Sequence, residues 1–405
     1  MTNLNPPTGG ATTWFLLGRD PILSASEIIS LLKREGVVYK NPILKSPFLF
    51  LDADLQPNTI NRLGGTIKIA EELGTDLSED TLLGAIKTKL SNETKKIIFG
   101  ISFYGEDHTE EVEHWGKELK KILKADGHAV RYVFNRESIL SSVTVEKNSL
   151  TDKGYEFLIL KNSKGYQLAR TTAVQPFENF SARDYGRPSR DSESGMLPPK
   201  LAMMMINLSE TPTDQTLLDP FCGSGTIISE ALLLGYSKVR GTDSAEKAIA
   251  DSNENISWLI KNKLISESKD WKIELTPAQK LSKKFDDSSI GGIVAEPYLG
   301  KPKNGRETAA ELAKEAGELA ALYVEAFGQF KKILRPGGRV VFIIPRFVQR
   351  NGAPITISEK ILPKLLQLGF AVDPAAPEFS KSPFILYQRP SQFVAREIWR
   401  FKTSS

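Results

Sequence analysis

The chain of 405 residues has one cysteine, Cys222, and three histidines. A single cysteine excludes an intramolecular disulfide and fits a reducing compartment, so the cytoplasm is the expected location. The histidines, His108, His114 and His128, all precede the glycine-rich stretch at 220–225. None shares a zinc-ligand spacing with a cysteine, and no metal is expected. His108 and His114 sit in EDHTEEVEH, which reads as the acidic start of an exposed helix. No apolar run approaches the twenty residues a membrane helix needs, so no membrane partner is expected. The opening residues MTNLNPPTGGATT have neither the basic nor the apolar region of a secretory signal. A strong charge of one sign is also missing. Fifty-three Lys and Arg against 49 Asp and Glu leave a net +4. Such a balance does not announce nucleic-acid binding, although charge gathered on one face could still serve it.

What is present is a long alternation of strand-like and helix-like segments. TTWFLLG reads as a strand. LSASEIISLLKREG reads as an amphipathic helix, with Ser24 and Glu27 spaced as a capping box. SPFLFLDAD is a second strand. LLGAIKTKL and EVEHWGKELKKILKADG read as helices, the latter ending at Gly127 in a C-cap position. KIIFGISFYG, HAVRYVFN, SSVTVEK, EFLILK and QLARTTAV read as strands. This half is expected to be α+β, with several antiparallel strands.

A polar connector with Arg183, Arg187 and Arg190 follows, and composition alone favours a solvated linker. The helix KLAMMMINLS then opens after Pro198 and Pro199. Its Met203, Met204 and Met205 read as core filler. From there strands and helices alternate cleanly. The strand candidates are QTLLDP, KVRGTD, KIELTPA, GGIVAEP and RVVFIIP. The helix candidates are TIISEALLLG, AEKAIADSNENISWLIKN, the long run from ETAAELAKEAG to FKKIL, and KILPKLLQLG. PFILYQR and FVAREIWRF would close the chain as a hairpin. This pattern implies a parallel sheet covered on both faces, with an antiparallel edge.

Leu217–Thr226, LLDPFCGSGT, carries the densest chemical signal. An apolar strand ends in Asp219 and a tight turn leads into a helix. The glycines let backbone approach a ligand closely, and the geometry suits a nucleoside cofactor. No Gly-Lys-Ser/Thr follows, which excludes a P-loop, and the pattern is not the dinucleotide G-x-G-x-x-G. Asp243 ends the next strand about twenty residues on, where an acid can reach ribose hydroxyls; its plainer role is capping the helix that follows. A second station, VAEPYLGKP, supplies Glu296, Pro297 and Tyr298. Together they offer a hydrogen-bond acceptor, a rigid turn and an aromatic face. Cys222 lies inside the cofactor loop, where a small residue is needed, and reads as loop filler rather than a nucleophile.

DPFCGSGT, together with RPGGRVVFIIP, resembles the class I methyltransferases that use S-adenosylmethionine and act on base amines of nucleic acids. Those enzymes carry Asp or Asn, Pro, Pro and an aromatic at the second station. Anchored on Tyr298, the acid's place here falls on Ala295, and Glu296 stands next to it. IIFGISFYG, HAVRYVFN and NSLTDKGYEFLIL resemble a THUMP domain, and WFLLGRDPILSASEI the ferredoxin-like domain that often accompanies it. ARDYGRPSRDSESGMLPPKLAMMMINLS resembles the segment before the cofactor loop in tRNA guanosine-N2 methyltransferases acting at the D-arm junction, and YQRPSQFVAREIWRF their closing hairpin.

The resemblance implies a ferredoxin-like domain at 1–58, a THUMP domain at 59–172, a linker at 173–198 and a Rossmann-like methyltransferase domain at 199–405. That last domain would hold a mostly parallel seven-stranded sheet with an antiparallel final hairpin. S-adenosylmethionine is implied against Asp219, Pro220, Phe221, Cys222, Gly223, Gly225, Thr226, Asp243, Ser244, Ala278, Pro198 and Lys200. Asp184, Arg187 and Arg190 are implied near the substrate, and Glu296, Pro297 and Tyr298 in catalysis. The implied partner is tRNA, with a monomer or a small activating subunit. Two other readings stay open at this point: a DNA adenine or cytosine amine methyltransferase, and a tRNA-binding protein with an impaired site.

Overall fold

The computed structural model describes residues 12–56, 58–105, 108–190, 196–350, 352–375, 377–389 and 392–403. The chain forms two compact units. The first takes in the chain up to Pro21, Val37–Asn61 and Thr66–Phe177. The second is Ile22–Gly36, Arg62–Gly65 and the chain from Glu178 onward.

In the first unit, β1 (Thr13–Leu17) is followed by helix α1 (Pro21–Arg34), which from Ile22 on belongs to the second unit. Then come β2 (Tyr39–Lys45), β3 (Phe48–Ala53), β4 (Thr66–Leu77), α2 (Glu79–Ser91), β5 (Ile97–Tyr104), α3 (Thr109–Ala125), β6 (Val130–Val133), α4 (Ser142–Lys147), β7 (Tyr155–Asn162) and β8 (Gly165–Val174). All eight strands make one sheet in the order β2-β3-β1-β4-β8-β7-β5-β6. Only the pairings of β5 with β6 and β7 are parallel. The sheet runs on across residue 58, because β4 pairs with both β1 and β8. Leu82 and Ile86 of α2 and Trp115 and Leu119 of α3 pack with Phe99, Phe103 and Phe157. The end of α3 is as expected: the His128 amide donates to the Leu123 carbonyl at 3.0 Å, across Gly127.

SSVTVEK is a helix, not the expected strand. Ser141 Oγ accepts the Thr144 amide at 3.1 Å, capping α4, and only Val145 of the helix is buried. Alternating β-branched residues suggested a strand, but a side-chain cap satisfies the first turn and a single apolar residue anchors it.

The second unit continues with α5 (Phe177–Tyr185), α6 (Pro199–Leu208), β9 (Thr216–Asp219), α7 (Thr226–Leu233), β10 (Lys238–Asp243), α8 (Glu246–Lys261), β11 (Asp270–Leu275), β12 (Ile290–Ala295), α9 (Ala309–Ile333), β13 (Leu334–Phe347), β14 (Ile355–Thr356), α10 (Ser358–Gln367), β15 (Phe370–Val372), β16 (Phe384–Tyr387) and β17 (Val394–Thr403). The sheet order is β11-β10-β9-β12-β13-β17-β15, with β14 on β13 and β16 on β17. Strands β9 to β13 run parallel, and β17 is antiparallel to β13, β15 and β16. This is the expected Rossmann-like sheet with its antiparallel closing hairpin, but it has nine strands and not seven: β14 and β15, of two and three residues, are too short to show as apolar runs. Helices cover both faces. On one, Leu201, Met203, Met205, Ile228 and Val239 pack together. On the other, Tyr323, Phe327 and Phe330 of α9 pack on Ile293, Val340 and Phe342. The three methionines are core residues, as expected.

The expected capping box at Ser24 and Glu27 does not form. Helix α1 starts at Pro21, so both residues lie inside it and are buried. Glu27 instead accepts the amides of Gly64 and Gly65, each at 2.8 Å, and the side-chain amide of Asn207 at 2.8 Å. Burial pushes its carboxyl up to about 7, against those three donors and Arg34.

Candidate active site

From β9 the chain winds outward through β10 and β11, then returns to place β12 on the other side of β9. The order therefore reverses between β9 and β12. In open α/β sheets the crevice at the carboxyl ends of such strands is where ligands bind. β9 ends in Asp219, and β12 ends at Ala295, one residue before Glu296. The two sequence stations are thus neighbours at the switch point.

Asp219 is buried and accepts the Phe221 amide at 3.1 Å. Burial drives its carboxyl well above the ordinary range, reinforced by the charges of Asp243 and Glu296. Pro220 and Cys222 are buried, while Phe221 sets its ring against Phe342, edge to face. The turn bends at Gly223 and Gly225, with φ of 50° and 80°. A side chain on Gly225 would meet Ser252 Oγ at 2.9 Å; one on Gly223 would enter open space. That space is a cradle only glycine leaves clear. Gly225 is also the left-handed N-cap of α7, whose first residue is Thr226.

Asp243 uses both carboxylate oxygens locally. Oδ2 accepts the Gly223 amide and Oδ1 the Ala245 amide, each at 3.0 Å. The helix-capping role weighed against ribose contact is not formed, because the N-cap of α8 is Ala245; the Asp243 carboxylate instead holds the turn before the helix and shapes the glycine loop. Each oxygen has a further lone pair for a ligand hydroxyl. Ser244 is exposed beside it. Ala278 is buried at the start of a short 3-10 turn, after the Thr276 amide has donated to the Asp243 carbonyl. The Cys222 thiol is buried and pushed up by that burial, which suits filler and not a nucleophile.

The connector is not solvated coil. It contains α5, and Arg183 Nε and Nη2 grip buried Glu230 of α7 at 2.7 and 3.2 Å. Arg187 is buried and donates to Thr226 Oγ1 at 2.6 Å and towards Met196 Sδ at 3.0 Å. The structure therefore brings Arg187 to the first residue after the glycine loop. Asp184 faces Arg187 electrostatically. Arg190 is exposed and lies over the Tyr185 ring. Pro198 caps α6, and the Lys200 ammonium lies 5.3 Å from the Phe180 ring centre. Residues 191–195 of the connector lie outside the described residues.

Beyond β12, Pro297 is buried, and the Tyr298 ring is 55% exposed at the crevice. Buried Tyr323 of α9 donates from its hydroxyl to the Tyr298 carbonyl at 2.6 Å, fixing the backbone beneath that ring. Glu296 Oε1 accepts Arg396 Nε–H at 2.5 Å. Burial pushes the Glu296 carboxyl up, and Arg396 opposes that shift.

Sequence reasoning missed Arg396, Tyr323, Ser252 and Asn255. Ser252 Oγ donates to the Gly223 carbonyl at 2.7 Å. The Asn255 amide bridges the Ser189 and Ser224 carbonyls at 3.0 and 2.8 Å, tying connector to loop. Ser252 and Asn255 lie three apart on α8 and so share one helix face, which is the one sequence signal that could have marked them.

Residues 187–349 match a family model described as an RMKL-like methyltransferase domain. The chain is 26% identical over 340 residues to the tRNA (guanine(10)-N2)-dimethyltransferase of Methanothermobacter thermautotrophicus, covering 81% of this chain and 87% of that protein. It is 24% identical over 354 residues to the enzyme of the same name from Pyrococcus abyssi, covering 87% and 94%. Among solved structures, TrmN from Thermus thermophilus aligns over 97% of this chain and 99% of its own, with a TM-score of 0.54 and 18% identity, which shows a shared fold. The comparisons support the family recognised in the sequence: the chain is an enzyme of the methyltransferase kind, and its residues 187–349 match the RMKL-like methyltransferase domain model.

Proposed function

We propose that this chain transfers a methyl group from S-adenosylmethionine to the exocyclic N2 amine of a guanosine in tRNA. The observation that carries the reading is the meeting of the two motifs at the switch point, the glycine loop after β9 and Glu296-Pro297-Tyr298 after β12. The names of the relatives, which match both units of the chain, support the substrate.

The cofactor would lie over Gly223 and Gly225, with Asp243 and Ser244 towards its ribose. Asp219, Pro220, Phe221, Cys222 and Thr226 shape the loop, and Ala278 lines its flank. Pro198 and Lys200 would approach from the first turn of α6. When bound, the cofactor supplies an electrophilic sulfonium methyl. Glu296 accepts one hydrogen of the N2 amine and so aims the amine's lone pair. As the nitrogen lone pair forms the new N–C bond, the C–S pair leaves with the sulfur. The amine proton passes to Glu296 and then to solvent, so no metal and no covalent enzyme intermediate are required. Tyr298 stacks the extruded base, whose unstacking costs on the order of a few kcal/mol. Asp184, Arg187 and Arg190 line the approach.

The first unit is the RNA-recognition module of this reading, a THUMP domain with a ferredoxin-like start. Lys117, Lys121 and Lys124 stand exposed along its helix α3. The enzyme would work in the cytoplasm, as a monomer or with a small activating subunit.

Purified enzyme with labelled S-adenosylmethionine and transcribed tRNA tests this. N2-methylguanosine should appear in the digested tRNA, and Tyr298→Ala should lower turnover by roughly one to two orders of magnitude, a loss of about 1–3 kcal/mol of base stacking, at unchanged cofactor affinity. Cofactor binding without methylated guanosine, or methylation of DNA in preference to tRNA, would overturn it.

A further inference from the structure

We propose that Arg396 is the positioning residue for the methyl acceptor: its Nε–H bond to Oε1 holds Glu296 aimed, leaving Oε2 to take the amine hydrogen. This rests on the reading of Glu296 given above.

The family pattern puts a carboxylate or amide at the position of Ala295, which here is the last, fully buried residue of β12. Glu296 stands one residue later with one more methylene, and Arg396 anchors its carboxylate. The Nε–Oε1 distance is 2.5 Å, and the two side chains are only 12% and 13% exposed. Arg396 is itself rigidly placed. It sits on β17 opposite Pro345 of β13 on one edge and Tyr387 of β16 on the other. The nearby Arg346 is committed elsewhere, donating to Glu397 Oε1 at 2.7 Å, with Trp399 Nε1–H on the other oxygen at 2.9 Å. Among the described residues, Oε2 of Glu296 has no hydrogen-bond partner. The arrangement leaves one acceptor oxygen and fixes its direction.

Ionisation matters as much as direction. A protonated Glu296 would present a hydroxyl to an amine that also donates, and could take no proton from it. Of the ionisable groups among the described residues that face Glu296, Asp219 of β9 repels it when both are charged, Tyr323 of α9 stays a neutral phenol because burial pushes its hydroxyl up, and Arg396 of β17 is the one cation that acts on it. Burial alone favours the neutral acid. Arg396 is therefore the group that opposes protonation of the acceptor.

The test compares Arg396→Leu, Arg396→Lys, Glu296→Gln and the double variant Glu296→Gln/Arg396→Leu in the full chain. With wild type active on tRNA, Arg396→Leu should lower kcat by about tenfold or more, each pH unit of displacement being tenfold in the ionised fraction. The acidic limb of its kcat–pH profile should move to higher pH, while KM for S-adenosylmethionine stays within about twofold. Arg396→Lys should restore most of kcat, and the double variant should be no slower than Glu296→Gln alone, since residues acting as a unit are non-additive. A pH profile identical to wild type in Arg396→Leu, or fully additive losses in the double variant, overturns the proposal. Carboxyl-carbon NMR of Glu296 gives a readout independent of turnover: its titration should move up in both Arg396 variants, further for leucine. If wild type methylates no guanosine, the functional reading fails on its own. If Glu296 titrates alike with and without Arg396, this inference fails on its own. Should Arg396→Leu not fold, the lysine variant carries both measurements.

Discussion

At the scale of single residues the glycine loop separates two roles that look alike in sequence. Gly223 and Gly225 both have positive φ, so alanine at either strains the backbone by about 1–3 kcal/mol. Only at Gly225 would the methyl also press on Ser252, with its Oγ at 2.9 Å and its Cβ at 3.1 Å. At Gly223 it would enter open space, where the proposed function puts the cofactor. Gly225→Ala is therefore expected to lower the melting temperature more than Gly223→Ala. Gly223→Ala should weaken S-adenosylmethionine binding out of proportion to its effect on stability. Thermal unfolding and calorimetric titration of both variants check this, and equal effects on both quantities would remove the distinction. Asp243 shows the same economy. Its carboxylate serves the loop and the α8 entry at once, so its loss should act through the loop as well as through any ribose contact.

Elements were legible where the hydrophobic period was long and misread where a few residues decided the matter. Strands β9 to β13 of the second unit, its α7, α8 and α9, and the closing hairpin follow directly from apolar runs bounded by turn residues, whereas the two- and three-residue β14 and β15 leave no such run. DPFCGSGT could be read because its glycines and acids act through backbone geometry that sequence encodes locally. Arg396 could not, because it reaches Glu296 from a strand a hundred residues away, and no local pattern announces that pairing. α1 failed for a related reason. Ser24 and Glu27 have capping-box spacing, but the amides that Glu27 satisfies are those of Gly64 and Gly65. The misplaced acid has a measurable consequence. Its folded pKa of about 7 lies above the ordinary value of 4.5, so between those values the folded chain holds a proton the unfolded chain has released. The stability of the second unit is thus greatest below about pH 4.5 as far as Glu27 is concerned, and falls as pH rises through 7. The full loss for such a shift is on the order of 3 kcal/mol. Glu27→Gln should flatten the pH 5–7.5 slope of a denaturant midpoint. It should also lower stability overall by about 1–3 kcal/mol, since its amide opposes one of the glycine N–H donors. An unchanged slope in that variant would show that Glu27 does not titrate in this range.

At the scale of the whole molecule, the second unit is not a contiguous stretch of chain. It draws Ile22–Gly36 and Arg62–Gly65 from the N-terminal region. Leu23 lies in its core with Leu201, Met205 and Ile206. Arg34 donates to Asn207 Oδ1 at 3.0 Å and lies over the Tyr236 ring. The fully buried Asn207 gives its two amide hydrogens to Glu27 and to the Arg62 carbonyl, at 2.8 and 2.7 Å. A fragment running from Glu178 to the end keeps every residue of the glycine loop and of Glu296-Pro297-Tyr298. It loses all of these partners. Exposing the surface around Leu23 costs about 1.5–3 kcal/mol, and each orphaned polar group of Asn207 about 1–3 kcal/mol. Together these approach the 5–15 kcal/mol that typically holds a domain. The fragment is therefore expected to unfold at least about 10 °C below the corresponding transition of the full chain, at about 2–4 °C per kcal/mol for its size. A peptide spanning residues 21–36, added in trans, should recover part of that difference and raise S-adenosylmethionine affinity with it. A fragment that melts with the full chain and ignores the peptide would mean that α1 only leans on a self-sufficient methyltransferase domain, and that the catalytic unit does begin where its family match does.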